Sequence, residues 1–344
     1  MAFAFAIHTG LAGRPTVVGR IGSTMMRRKL ALLLSTALLL TACGDGGGQS
    51  ADSRSADATR KITVGVIPIL DVAPIYLGVQ KGFFSERKLE VKLELAQGGA
   101  AIVPAVLSGQ FQFGFSNNTS LLLAQTRGLP LKIVAPGSSS TGTPGKDFAG
   151  VVVPDGSPIK SSTDLSGKSV AINTLNNISD TVVREAVRKA GGDPRSVKFV
   201  ELPFPEMPAA LANGRVDAAF VVEPFLTIAR NQKGRDIASA YAEATPNLSV
   251  ATYFTSDQLI KSDPELVKAF TEAMVKSQEY AATHPDETRQ VLSTYTSIGA
   301  EIIPTLTLPA FPTQVNRESV QALADMAERD GLVTKPPQVS ALFQ

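Results

Sequence analysis

The chain has 344 residues, with 33 Lys and Arg against 31 Asp and Glu, a single cysteine and two histidines. One cysteine excludes an internal disulfide. With only His8, in a segment read below as a leader, and His284, the clustered ligands of a His-based zinc centre are lacking, and a Ser-His-Asp or Cys-His arrangement is left only His284 to use. No G-x-x-x-x-G-K-[ST] or G-x-G-x-x-G pattern follows residue 43, so nucleotide chemistry has no support and neither a metal nor an organic cofactor is expected.

In chain order, Arg27, Arg28 and Lys29 precede an apolar run over residues 30–40. That run is too short for a bilayer span, which takes about 20 apolar residues, and it suits the core of a signal peptide. Leu40-Thr41-Ala42-Cys43 resembles the bacterial lipobox, in which a cysteine after small residues takes a lipid and becomes the new N-terminus. Residues 1–42 are therefore read as a leader, with Met1, Met25 and Met26 as alternative starts, and residues 43–60, rich in Gly, Ser, Ala and Asp, as a flexible tether. Acyl chains on Cys43 would place the protein on the extracytoplasmic face of a bacterial cell membrane. The leader carries Arg14, Arg20, Arg27, Arg28 and Lys29 and no acid. Without it acids outnumber bases, and nothing points to nucleic acid.

From Lys61 onward short apolar strands alternate with helices, the mark of an α/β fold. Strands are predicted over 62–67, 89–95, 111–115 and 131–135, with helices over 74–80, 100–107 and 120–126. The strand over 89–95, alternating apolar residues with Glu90, Lys92 and Glu94, reads as lying near an edge. A stretch of Gly, Ser, Thr and Pro over 136–146 marks a boundary. Beyond it the alternation repeats, with strands over 150–153, 169–172, 197–200 and 218–222 and helices over 180–190, 205–213 and 224–231. The chain from about Ser249 reads as mostly helical, with Asp263 and Asn316 as helix caps. Helices too poor in strands to form their own domain must pack back on an earlier one. The reading is therefore one lobe made of residues 61–148 plus 251–344 and a second, inserted lobe of residues 149–250, joined by two crossings that make a hinge.

Several segments in order carry a family resemblance. Lys81-Gly82-Phe83-Phe84 with Leu89-Glu90-Val91, the stretch Val106 to Gly114, Asp164-Leu165-Ser166-Gly167-Lys168-Ser169-Val170-Ala171, the stretch Ala210 to Ala219, and Glu223-Pro224 are similar to the nitrate/sulfonate/taurine solute-binding family of ABC importers. That family also includes binders of thiamine-pyrimidine precursors. The resemblance covers residues 61 to about 235 and implies a type II periplasmic-binding-protein fold: two α/β lobes, a hinge and an interlobe cleft. It implies a monomeric binder that hands a small solute to permease subunits. The glycines and aromatics of these segments read as turns and core rather than as chemistry.

In open α/β lobes ligands sit beyond the carboxyl ends of strands. The candidate binding residues at such positions are Asp71, Gln97, Ser116, Asn117, Thr174, Asn176, Asn177, Phe204, Glu206 and Glu223. Asn117 and Asn177 also read as helix caps, and Asp71 or Glu223 as partners of a backbone turn. No Lys or Arg lies in these loops. They suit a neutral heterocycle or an amine-bearing solute better than a simple anion, with Phe204, Phe225 or Tyr76 available for ring stacking. The alternatives are an enzyme on the same scaffold that makes a pyrimidine precursor and a ligand-sensing receptor subunit.

Overall fold

The computed structural model describes residues 58–343. The leader, Cys43 and the tether up to residue 57 lie outside the described residues.

Two five-stranded mixed sheets organise the described residues. The first is built from β1 (Arg60–Val66), β2 (Leu89–Leu95), β3 (Phe113–Asn117), β4 (Leu131–Pro136) and β10 (Ala251–Ser256), in the order β2-β1-β3-β10-β4. The second contains β5 (Ala149–Pro154), β6 (Ser169–Ile172), β7 (Lys198–Glu201), β8 (Ala218–Val222) and β9 (Gly234–Ala238), in the order β7-β6-β8-β5-β9. In the first sheet β1 runs parallel to β2 and β3, while β10 is antiparallel to β3 and β4. In the second, β6 is parallel to β7 and β8, and β5 is antiparallel to β8 and β9.

Helices α1 (Ala73–Gln80), α2 (Gly99–Leu107), α3 (Asn118–Thr126), α4 (Ile178–Lys189), α5 (Met207–Ala212), α6 (Phe225–Asn231) and α7 (Ala240–Ala244) connect these strands. After β10 come α8 (Asp257–Ser262), α9 (Pro264–Thr283), α10 (Pro285–Gln290) and α11 (Arg317–Arg329). The caps form as the side chains dictate. Asn177 accepts from Ser179 N while Asp180 reaches back to the Asn177 N–H, and Asp263 and Asn316 accept from Leu266 N and Ser319 N. His284 ends α9, its ring stacked on Tyr280 at 3.8 Å.

The long helix α9 explains why the C-terminal chain folds back on the first sheet. Its buried residues Leu266, Val267, Phe270, Ala273, Met274, Ser277, Gln278 and Ala281 recur at helical spacing. Phe270 stacks on Phe113 of β3 at 3.8 Å and meets Tyr253 of β10 edge-on at 5.9 Å. Truncating such a ring to alanine costs about 3–5 kcal/mol. Gly78 of α1 lets α9 come close, since a Cβ there would lie 2.0 Å from Ser277 Oγ.

The segment expected to be mostly helical holds an interior strand, β10. All six of its residues are buried, so its sequence shows no alternation of apolar and polar residues to read. The strand over 111–115 is displaced to Phe113–Asn117, and β9 was not anticipated. Position 89–95 is an edge strand, as its alternating charges indicate.

The chain passes between the sheets after β4 and again before β10. Ser140 N donates to Leu248 O at 2.9 Å and Val250 N to Ser138 O at 2.9 Å. A third segment joins them, for Ser139 and Ala310 exchange both backbone bonds, at 2.9 and 3.0 Å. Gln278 of α9 donates to Pro136 O at 2.9 Å and Gly137 O at 3.1 Å, holding the first crossing down.

Candidate functional site

Four strands end at one place. The loops after β1 and β3 of the first sheet face those after β6 and β8 of the second, and between them lies a cavity of about 30 Å3. Its walls include Ile67, Ile69, Asp71, Phe115 and Asn117 from one side and Asn173, Asn177, Ile178, Ser179, Phe204, Val222 and Tyr241 from the other. Among the described residues no basic side chain lines it.

Asp71 sits in a single 3-10 turn, Leu70–Val72, set between the end of β1 and Pro74 in the first turn of α1. The turn is wholly buried. Asp71 Oδ1 accepts a 2.6 Å hydrogen bond from Ser138 Oγ of the first crossing. Its Oδ2 is buried and has no hydrogen-bond partner among the described residues. Burial pushes the Asp71 carboxyl up to about 7; the Ser138 hydroxyl and its own backbone N–H offset part of this, and the Asp147 carboxylate adds to it. Asp147 itself, also buried, accepts from Ser140 Oγ at 2.5 Å and from Thr141 N and Phe148 N at 3.0 Å.

Asn117 and Asn177 stand opposite each other. Asn117 Oδ1 caps α3 through Ser120 N at 2.9 Å and also accepts from Ile178 N, the first residue of α4, at 3.3 Å. Asn177 Nδ2 donates to Asn173 Oδ1 at 2.8 Å and Thr174 Oγ1 at 2.7 Å, and Ser179 Oγ to Asn173 Oδ1 at 3.3 Å. Gln97 Nε2 reaches over from the first sheet to Asn173 O at 3.1 Å. Gly98 makes this approach possible, for a Cβ there would lie 2.9 Å from Thr174 Cγ2. Farther out, α4 meets α11 through charges. Glu185 pairs with Arg188 and Arg329, and Arg188 pairs with Asp330.

The structure brings Asp71, Asn117, Asn177 and Phe204 to the cavity wall and sets Thr174 just behind Asn177. Gln97 lines a neighbouring apolar cavity of about 250 Å3. Ser116 is buried, its hydroxyl donating to Asn117 O at 3.1 Å. Asn176 is exposed in a loop beside α2 and α3, with φ of 55°. Glu206 is exposed and lines neither cavity. Glu223 is buried but turned into the fold. Its oxygens accept from Thr227 N at 3.1 Å, Thr227 Oγ1 at 2.8 Å and Thr307 N at 3.2 Å. Burial raises its carboxyl, and the Thr227 bonds oppose the rise. Phe204 and Phe225 stack in parallel at 6.2 Å, whereas Tyr76 is stacked on Tyr295.

Sequence reasoning did not select Ser138, Ser179 or Tyr241. Ser138 and Ser179 are small hydroxyls in polar stretches, and Tyr241 is a buried aromatic at the start of a short helix. Only tertiary structure sets them beside Asp71 and Asn173. A larger cavity of about 670 Å3 lies away from the strand ends, between β4, α8 and α9, with Lys132, Lys261 and Lys268 in its wall.

A family profile described as NMT1/THI5 like matches residues 70–288. The chain is similar to a formylaminopyrimidine-binding protein of Halalkalibacterium halodurans, 24% identical over 271 residues that span 77% of this chain and 78% of that one. Among solved structures, the alkanesulfonate-binding protein SsuA of Xanthomonas axonopodis pv. citri bound to MOPS shares the architecture with a TM-score of 0.70 and 16% identity, over 83% of this chain and 99% of that one. A ligand-binding component of an ABC-type import system from Staphylococcus aureus with zinc bound does so with a TM-score of 0.71 and 15% identity, over 83% and 96%. Among the described residues no cluster of three His, Cys, Asp or Glu side chains could hold a metal ion. The profile match spans more than half of the sequence, and the neighbours share the two-lobed α/β plan: the chain belongs to the NMT1/THI5-like family.

Proposed function

We propose that this protein is the solute-capturing component of a bacterial ABC importer, tethered by lipid at Cys43 to the extracytoplasmic face of the cell membrane. In this reading the lobes, residues 61–148 plus 251–344 and residues 149–250, close on a small organic solute and present it to the permease. The solute offers an N–H or amine donor, as a pyrimidine-like heterocycle does. Taurine would meet the requirement through its ammonium, whereas nitrate or a plain alkanesulfonate would not. One observation carries this preference: Asp71 lines the interlobe cavity, one of its buried carboxyl oxygens has no hydrogen-bond partner among the described residues, and no basic side chain of those residues lines the cavity. A buried acceptor left unmet costs about 1–3 kcal/mol, so a donor from the solute is the natural complement. The cavity otherwise offers amides and hydroxyls, groups suited to holding a solute rather than transforming it. The named relatives, a pyrimidine binder and a sulfonate binder, bracket the choice.

The test is a thermal-shift screen of the full chain against amines, N–H heterocycles, taurine, alkanesulfonates and nitrate, followed by native mass spectrometry of hits. N–H donors should raise the melting temperature by linkage and contract the radius of gyration in small-angle scattering. Stabilisation by nitrate and alkanesulfonates alone would overturn the ligand class, and an unchanged scattering profile at saturation would overturn closure.

A further inference from the structure

The cavity of about 670 Å3 between β4, α8 and α9 shares no wall residue with the two cavities at the strand ends. Its volume falls in the range of small-ligand sites. Val134 of the edge strand β4, Ile260 of α8, Pro264 and Val267 of α9, and Phe343 supply its apolar wall. Two carbonyls beside it are already taken: Thr271 Oγ1 donates to Val134 O at 3.0 Å and Lys132 Nζ to Ala341 O at 2.5 Å. Val134, Thr271 and Phe343 also line an adjoining cavity of about 350 Å3, where the Arg317 guanidinium lies 4.2 Å from the Phe343 ring. The apolar track is therefore longer than one cavity. Lys261 and Lys268 are exposed and form no ion pair among the described residues. Two acids share the wall with Lys132, Lys261 and Lys268. Arg87 pairs with Glu272, which leaves Asp257, one of its oxygens buried, against three lysines. Lysine stems lie along apolar surface while their ammonium groups stay in water, so this wall offers carbon at its floor and positive charge at its rim.

We infer that this groove is a second binding site, for a single-chain anionic amphiphile such as a fatty carboxylate, its tail on the apolar floor and its head group at Lys261 and Lys268. A peptide strand would need main-chain partners, and the Val134 and Ala341 carbonyls are spent. A compact anion would leave the apolar floor in water, and a cationic amphiphile would meet the lysines with like charge. The site is independent of whatever solute occupies the strand-end cavity.

The test is calorimetric titration of the full chain, below micelle-forming concentrations, with dodecanoate and with dodecyltrimethylammonium, which carries the same tail and the opposite charge. Dodecanoate should saturate at one molecule per chain and bind at least about tenfold more tightly than the cation, a gap that narrows as salt is raised. Lys261→Gln combined with Lys268→Gln, both exposed positions, should melt as the parent chain does and should remove most of that gap. Ile260→Ser should weaken both amphiphiles severalfold. Should that variant melt early, the series butyrate, octanoate, dodecanoate reads the floor without mutation, and affinity should rise at least about threefold for every two methylenes. Equal affinity for the two head groups, dodecanoate affinity untouched by the double lysine variant, or uptake that never saturates would each overturn the site. Sedimentation with phosphatidylglycerol vesicles in the absence of saturable dodecanoate binding would also overturn it, in favour of contact with a membrane surface.

Discussion

Asp71 and Glu223 make a controlled pair. Each is a buried carboxylate, each follows an interior strand, and each has its carboxyl raised by burial. Glu223 spends its oxygens on Thr227 and Thr307, tying the corner after β8 to its own helix and to the C-terminal segment. Leu70 N also donates to Glu223 O at 3.1 Å, so the two turns touch through backbone. Asp71 spends one oxygen on Ser138 and leaves the other facing no donor. Charge and location alone do not separate a binding acid from a structural one. The hydrogen bonds each oxygen receives differ, and that difference is the ground on which we propose Asp71 for binding and Glu223 for structure.

The largest expected effect is on affinity. Asp71→Asn should weaken an amine or N–H ligand by about tenfold to a hundredfold while the ligand-free protein melts no earlier at pH 8. Glu223→Gln should show the opposite pattern, a loss of about 1.5 kcal/mol in chemical denaturation with affinity changed less than about threefold. If the two variants exchange these signatures, the contrast drawn here is wrong.

Titration sharpens the same contrast. The Asp71 carboxyl moves from 3.8 to about 7 on folding. Between those values the folded chain keeps a proton that the unfolded chain has released. Stability of the ligand-free protein should therefore fall as pH rises from about 4 to about 7 and level off above. Affinity for an amine should run the other way, dropping up to about tenfold per unit below pH 7, where Asp71 is protonated. Equilibrium denaturation and calorimetry across pH 5–8 measure both trends; Asp71→Asn should flatten the affinity trend and reduce the stability trend, leaving the part that Asp180, raised to about 6, and Glu223 contribute.

The smallest effect belongs to the charges joining α4 to α11. Arg329 pairs with Glu185, but its side chain is 45% exposed. Arg329→Ala should cost less than about 1 kcal/mol, and the difference from wild type should shrink in high salt. A larger, salt-insensitive loss would mean that this contact, rather than the cavity, dominates interlobe attraction.

Much of the fold was legible because local signals agreed. Asn177 announced the start of α4, the charges of Glu90, Lys92 and Glu94 announced an edge, and glycines such as Gly109 and Gly167, both at positive φ, closed their turns. β10 was not legible, since a strand buried on both faces and made of Ala, Thr, Tyr, Phe and Ser has no periodicity that distinguishes it. The strand ends pointed to the right loops, yet the roles within them were hidden. Asp71 meets Ser138 from 67 residues away and Glu223 meets Thr307 from 84. Neither partner carries a mark in the sequence.

The pairing of Ser139 with Ala310 bears on the proposed closure of the lobes. Two crossing strands alone form a strip that bends about many lines. A third strand stiffens the strip, because sliding one crossing past another would break the bonds on Ser139 to Ala310 and those of Ser138 and Ser140 to the second crossing together. A twist along the strip keeps each N–H in front of its carbonyl. In the closure proposed above, these bonds favour twisting over sliding, and Ala310, which makes them, lines neither cavity at the strand ends. Proline at Ala310, which removes its N–H donor to Ser139 O, is a way to loosen that grain while leaving every cavity wall in place.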